Sequence, residues 1–374
     1  MTSFMAVETR QFIPRFLQQG DLKLLLFGGK GGVGKTTCAA ATALRLAQQS
    51  PERSFLIVST DPAHSLRDSF VHPPSLPNLH LLEIDSRKCL QKFKEAHAAH
   101  LRQIALRGTF LDEEDVARLL DLSMPGMDEV MAFTEIAELV EGGEYSCIIV
   151  DTAATGHTLR LLELPGILRQ WIEALDAMLA KHRYMARLYA GRYRKDDVDL
   201  FLETLSEEVE RLSALLCNRL HCRFVPVMLA ERLSVQETRR LVDRLQSLDI
   251  PVTDIVVNRI FPSRTDCPTC REVRSSQGVE LRRLASEFSD YSLWRVPVQS
   301  AEVRGPEQLA GFWRGVRSLE ETYLATDLGA MPRPRVERPS KLPRSDVSLL
   351  LFAGKGGVGK TTLASATALR LAQA

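Results

Sequence analysis

The sequence predicts a doubly wound α/β fold, a mostly parallel sheet with helices on both faces and a helical insertion. Three observations carry this reading. Seven short aliphatic runs alternate with longer helix-patterned stretches, the signature of strand–helix–strand units. The runs are nearly continuous in apolar residues, as strands covered on both faces must be. A glycine-rich segment, Gly29 to Thr36, joins the first run directly to an alanine-rich helix.

In chain order, strands are predicted over residues 23–28, 54–60, 80–85, 145–151, 223–230, 251–258 and 291–296. Right-handed crossovers through the intervening helices make the sheet parallel. The helical pattern from about 87 to 141 is too long for one crossover. Together with a second stretch at about 166–218, it predicts a helical insertion.

Composition narrows the function classes. Of 374 residues, 45% are apolar and 25% charged, an ordinary globular balance. The 48 basic and 47 acidic side chains leave a net charge of +1, so no global field recruits nucleic acid, and none is expected as a partner. A membrane-spanning helix needs about 20 apolar residues, and no run approaches that length. Glu8 and Arg10 stand where a signal peptide would place its apolar stretch. Seven cysteines, an odd count, speak against a disulfide scaffold and for a reducing cytoplasm.

The chain also contains an internal repeat. LLLFGGKGGVGKTTCAAATALRLAQQ, starting at Leu24, recurs as LLLFAGKGGVGKTTLASATALRLAQA, starting at Leu349. Only four of the 26 positions differ: Gly28/Ala353, Cys38/Leu363, Ala40/Ser365 and Gln49/Ala374. Duplication accounts for this and chance does not. The expected organisation is an N-terminal extension over 1–21, one complete unit over 22–327, a Pro/Arg-rich linker over 328–347 and the incomplete start of a second unit over 348–374. One strand and one helix cannot bury their apolar faces alone, so the second copy reads as an opening fragment.

Gly29-Lys30-Gly31-Gly32-Val33-Gly34-Lys35-Thr36 matches the phosphate-loop pattern in the strand–loop–helix context that the motif requires. Its glycines let successive backbone N–H groups curl around phosphate, and the following helix adds its positive end. Lys35 is expected at the β- and γ-phosphates of a bound nucleotide and the Thr36 hydroxyl on Mg²⁺, with Thr37 beside it. Asp61 follows one predicted strand and Asp151 ends another, where ligands of open α/β sheets gather. Asp151 is the expected water-mediated Mg²⁺ partner, and Asp61 the candidate to orient or deprotonate the attacking water.

Ser59-Thr60-Asp61-Pro62-Ala63-His64-Ser65-Leu66 and Asp151-Thr152-Ala153-Ala154-Thr155-Gly156-His157-Thr158-Leu159-Arg160 resemble the switch I and switch II segments of one family. That family comprises the arsenite-pump ATPases and the tail-anchored-protein targeting ATPases, within the deviant-Walker dimeric ATPases. Pro125 to Glu129, Val257-Asn258-Arg259, Cys267-Pro268-Thr269-Cys270, Val296-Pro297-Val298 and Glu302 to Gly305 fit the same pattern, so the resemblance spans the whole unit. Ala154 departs from it, since the family has proline there. The resemblance implies a Mg-dependent ATPase that opens and closes as two facing units, the partner being a second copy or the second repeat. It makes Lys30 a signature lysine that reaches the partner's nucleotide and stabilises charge on the transferred phosphoryl group. It also implies that Asn258 and the loop after Pro297 contact adenine.

Cys267 and Cys270 form one CxxC, which supplies two of the four ligands of a structural zinc site. The targeting branch of the family implies that a partner unit supplies the other two, making Zn²⁺ a staple across a dimer interface; a redox pair and two free thiols remain alternatives. Cys38, Cys89, Cys147, Cys217 and Cys222 are scattered and read as core residues rather than an arsenite triad.

Met124, Met127, Met131, Met178 and Met185 fall in two helical segments, suited either to gripping an apolar client helix or to packing on the sheet. Lys181 to Lys195 carries six basic residues and no acid, a solvated face or a rim for such a groove. The favoured function is a cytoplasmic ATPase switch, peripheral at the inner face of a membrane, that delivers hydrophobic membrane-protein segments to a membrane receptor. The alternatives are the energising subunit of an arsenite or antimonite efflux pump and a partitioning or positioning switch.

Overall fold

The computed structural model describes residues 13–18, 20–60, 66–71, 76–108, 112, 114–116, 127–152, 155–190, 193–261, 268–319, 348–354 and 359–373. Its centre is the strand β1 (Leu24–Gly28), every residue of which is buried. Around it stand β2 (Phe55–Ser59), β3 (Leu79–Glu83), β4 (Cys147–Asp151), β5 (Cys222–Leu229), β6 (Asp254–Ile260), β7 (Ser292–Pro297) and β8 (Arg317–Ser318). The sheet order is β3-β2-β4-β1-β5-β6-β7-β8, parallel throughout except for the antiparallel β7–β8 pair. All seven expected strands are present, with ends shifted by a few residues. The edge strand β8 was not anticipated: two polar residues carry no periodicity.

The apolar continuity of the strands has a direct cause. Leu24, Leu26, Leu56, Val58, Ile148 and Val150 enter one core cluster, while Leu25, Phe27, Phe55, Ile57, Cys147 and Ile149 enter another. Alternate residues thus face opposite sides, and both sides are covered. The second cluster is closed by α1 (Lys35–Gln49), whose many alanines bring it close against the sheet. At the end of β1, Gly28 abuts the buried ring of Phe224 on β5; a Cβ there would lie 2.2 Å from its Cζ.

The first cluster is closed by α3 (Ser86–Gly108), α4 (Met127–Glu141), α5 (Thr155–Ala190) and α6 (Asp197–Cys217), with the short α2 (Leu66–Phe70) lying between β2 and β3. α5 begins at Thr155, ahead of the expected start near 166, and runs through Pro165 for 36 residues. α6 opens on a capping box, Asp196 accepting from the Val198 and Asp199 amides while Asp199 reaches back to the Asp196 amide. Arg183 of α5 ties the pair together, with Nη2 2.7 Å from both Asp176 and Asp199. The basic segment is therefore partly neutralised by acids outside it. Of the methionines expected on a client surface, Met131 is buried in the core, Met178 is half-buried and Met185 is exposed. Met124 lies outside the described residues. The stripe thus divides between sheet packing and exposure.

α7 (Arg232–Ser247) and α8 (Pro268–Glu287) cover the outer strands through Val235, Val242, Leu281 and Leu284, and α9 (Pro306–Gly311) closes the other face. In the second repeat, α10 (Lys360–Gln373) is helical with no buried residue. Leu349 to Phe352 repeats the letters of β1 yet forms no strand, and Leu351 is 82% exposed. Identical residues form a strand only where neighbouring strands complete their hydrogen bonds. Among the described residues, no helix is long and apolar enough to cross a membrane.

Candidate nucleotide site

The segment from Gly29 to Gly34 links β1 to α1 at the centre of the sheet, and Lys35, Thr36 and Thr37 open the helix. Gly29 has φ 147°, and a Cβ there would sit 2.1 Å from the Val227 carbonyl oxygen of β5. Gly34 has φ 99°, and its Cβ would sit 2.4 Å from Asn258 Nδ2. Only glycine meets both demands, a positive φ and a bare approach to neighbouring groups. Gly34 caps α1 without a side-chain hydrogen bond, and no acid stands in the first turn. The helix therefore offers its N–H groups and positive end to an anion.

Lys35 is only 6% exposed, and its Nζ donates back to the Lys30 carbonyl at 3.4 Å. A largely buried ammonium group is stable only beside negative charge or acceptors, which suits a phosphate seat. A cleft of about 490 Å³ opens over the loop, lined by Gly32, Gly34, Lys35, Thr36 and Thr37. Its far wall is Asn258 and Arg259 at the end of β6 and Pro297 at the end of β7. Volume and donor set fit a nucleoside triphosphate.

Asp151 ends β4 beside Phe27 of β1 and is fully buried. Its charge is felt at α1: the Cys38 thiol is pushed well up by burial and then by Asp151, with Arg259 opposing. Thr36 lines the cleft and Asp151 does not, standing buried beside the end of β1; hydroxyl and carboxylate oxygens are the ligand types that Mg²⁺ takes. Thr152 fastens the following segment to β1, its amide and hydroxyl both donating to the Phe27 carbonyl. Asp61 lies outside the described residues, but the preceding Thr60 amide donates to the Asp151 carbonyl at 3.1 Å. The ends of β2 and β4 thus meet beside the loop.

Gly29, Lys30, Gly31 and Val33 belong to the loop without lining the cleft. Lys30 points elsewhere, its ammonium 3.2 Å from Glu237 on α7. Asn258, expected at adenine, lines the cleft but also braces the loop: Nδ2 donates to the Val33 carbonyl at 2.9 Å, and Oδ1 accepts from the Arg259 amide at 2.8 Å. Sequence reasoning placed Arg259 and Arg304 within the family pattern but gave neither an individual role, and both line the cleft. Arg304 Nε donates to the Asp68 carbonyl and the Gly305 amide to the Ser69 carbonyl, so the loop after β7 is fastened to α2. No local pattern signals such a contact.

Cys38, Cys147 and Cys222 are core residues. Burial pushes the Cys147 and Cys222 thiols up to about 12; Cys89 reaches about 12 through burial and its hydrogen bond to Glu135. Among the described residues, no three of His, Cys, Asp and Glu converge on one point, as a soft metalloid would need of its thiols. Cys270 is half-buried in the first turn of α8, and Cys267 lies outside the described residues.

The sequence profile of the anion-transporting ATPases matches residues 22–316 and again 347–374. The ATPase ASNA1 homolog of Entamoeba dispar is 32% identical over 305 residues, covering 78% of this chain and 92% of that protein. ATPase get3 of Schizosaccharomyces pombe is 33% identical over 313 residues, covering 80% and 92%. The ATPase ASNA1 homolog of Dictyostelium discoideum is 32% identical over 313 residues, covering 80% and 91%. The chain belongs to the anion-transporting ATPase family and is an ATPase.

Proposed function

We propose that this ATPase binds Mg-ATP over the loop from Gly29 to Thr37 and works as a two-unit switch that delivers hydrophobic membrane-protein segments from the cytoplasm to a membrane receptor. The observation that carries the switch is the contrast between the two lysines of one loop. Lys35 is buried at the cleft, where it holds phosphate; Lys30 lies outside the cleft against Glu237 and serves a facing unit. When bound, Mg²⁺ would neutralise phosphate charge; Thr36 would hold the ion and Asp151 its water. Asp61 takes the proton of the attacking water or orients it.

The client reading draws on the end of α5, where Tyr184, Met185, Leu188 and Tyr189 are exposed together, beside Arg187. Such a cluster suits a mobile apolar helix better than solvent. Asp61→Asn tests enzyme and client at once. It should retain ATP binding, lose turnover at least about 100-fold, as removal of a general base does, and co-purify with a hydrophobic tail peptide in ATP. Normal single-turnover hydrolysis removes Asp61 from the mechanism, and stimulation of wild-type hydrolysis by antimonite without peptide capture favours the pump reading, for which the internal repeat speaks.

Cys267 and Cys270 are assigned to a zinc half-site completed by a partner unit. Cys270 opens α8 with its side chain half-buried, a position from which a thiolate can reach a neighbour. Cys267→Ser should lower zinc content and dimer fraction together, measured by metal analysis and light scattering. An unchanged metal content ends the assignment.

A further inference from the structure

We propose that Gln277, which does not line the cleft, is a positioning residue for ATP binding. It holds the bulged turn at the end of β6, and through Asn258 the phosphate loop, in the shape that accepts nucleotide. The inference rests on the reading that the cleft over Gly29 to Thr37 holds ATP.

The turn is one the chain would not adopt unaided. Pairing of β6 with β7 shifts register between Val257 and Ile260, and Arg259 sits at φ 56°, in the left-handed region. A long side chain there is strained and persists only where the surroundings dictate it. Gln277, in the third turn of α8 and 7% exposed, supplies the constraint. Its Nε2 donates to the Arg259 carbonyl at 2.9 Å, and its Oε1 accepts from the Phe261 amide at 3.0 Å. One planar carboxamide thus clamps both sides of the bulge.

The consequence reaches the phosphate loop in two steps. The Arg259 amide is the donor to Asn258 Oδ1, so the turn fixes the plane of the Asn258 carboxamide. That plane aims Nδ2 at the Val33 carbonyl and against Gly34, where the loop enters α1. Residue chemistry at 277 is narrowly specified: it must donate and accept at once, at the reach of a glutamine. Ionised glutamate cannot donate, and methionine does neither. Gln277 lies seven residues after Cys270, about 10 Å along the same helix. The helix that opens on the cysteine pair is thereby joined to the nucleotide seat.

The test compares full-length wild type, Gln277→Met, Gln277→Glu and Lys35→Ala for ATP affinity, steady-state kinetics and thermal unfolding without nucleotide. Gln277→Met should raise both Kd and KM for ATP about tenfold, as loss of two buried hydrogen bonds would, with kcat within about threefold because no reacting atom is touched. Gln277→Glu, whose carboxylate would face the Arg259 carbonyl oxygen, should raise Kd and KM at least as far as Gln277→Met, and it carries the test alone if Gln277→Met does not fold. Lys35→Ala should abolish ATP binding. Unchanged Kd and KM in both Gln277 variants, with binding lost in Lys35→Ala, overturn the role of Gln277 alone. So does a fall in kcat and melting temperature with Kd unmoved, the mark of a merely structural residue. Undiminished ATP binding by Lys35→Ala overturns the nucleotide reading itself, and the proposal with it.

Discussion

Lys30→Ala should bind ATP within about twofold of wild type yet turn over about a thousandfold more slowly, the scale on which a cation supplied to the transferring phosphoryl group acts. Affinity is spared because the ammonium group rests on Glu237, outside the cleft. Fold stability is spared as well, since an ion pair with both partners more than a third exposed contributes only about 0.2–1 kcal/mol. The decisive measurement is a mixture. A Lys30→Ala chain keeps Lys35 and holds nucleotide; a Lys35→Ala chain keeps Lys30 and can donate it. Each alone should be inactive, but an equal mixture should recover about a quarter of wild-type activity, since half of randomly formed dimers are mixed and each holds one complete site. A mixture that stays inactive, or a Lys30→Ala chain with normal turnover, removes the two-unit mechanism.

Gly29→Ala should have the largest effect on the fold. The methyl would meet the Val227 carbonyl oxygen at 2.1 Å and its carbon at 3.2 Å, while φ stays at 147°. Neither side can yield, because β5 is hydrogen-bonded between β1 and β6. Backbone strain and overpacking together cost at least about 3 kcal/mol, and a displaced loop abolishes ATP binding. Gly166→Ala is the control. A Cβ on Gly166, within α5, meets nothing within 4 Å, so this substitution should stabilise by about 0.5–1 kcal/mol. Urea unfolding with an ATP-binding assay separates the two. Equal midpoints and retained binding for Gly29→Ala would mean that the close approach to β5 is not a constraint.

The strands were legible in the sequence because β1, β2 and β4 are covered on both faces and read as unbroken apolar runs. The phosphate loop was legible because its chemistry is local: glycines where the backbone turns, lysine and threonine where phosphate and metal sit. The start of α5 was not, since Gly156, Pro165 and Gly166 all read as helix breakers while packing around Leu162 and Leu168 carries the helix through. Arg304 on α2, Glu237 beside Lys30 and Gln277 on the β6 turn were also hidden. These contacts join residues far apart in the chain, and nothing in the flanking pattern marks them. Asn258 shows both sides: the family pattern placed it at the cleft, but its grip on Val33, 225 residues away, emerges only from the fold.

Within the stretch that forms β1, original and duplicate differ at one position, Gly28 against Ala353. The Phe224 ring occupies the space that a methyl at this place would need. Were the duplicate threaded into the central slot, in its own chain or a neighbour's, Ala353 would collide with a fully enclosed aromatic, at a cost of about 1–3 kcal/mol. The central slot is thus shaped for the original strand, and its duplicate could occupy it only with the Phe224 ring displaced.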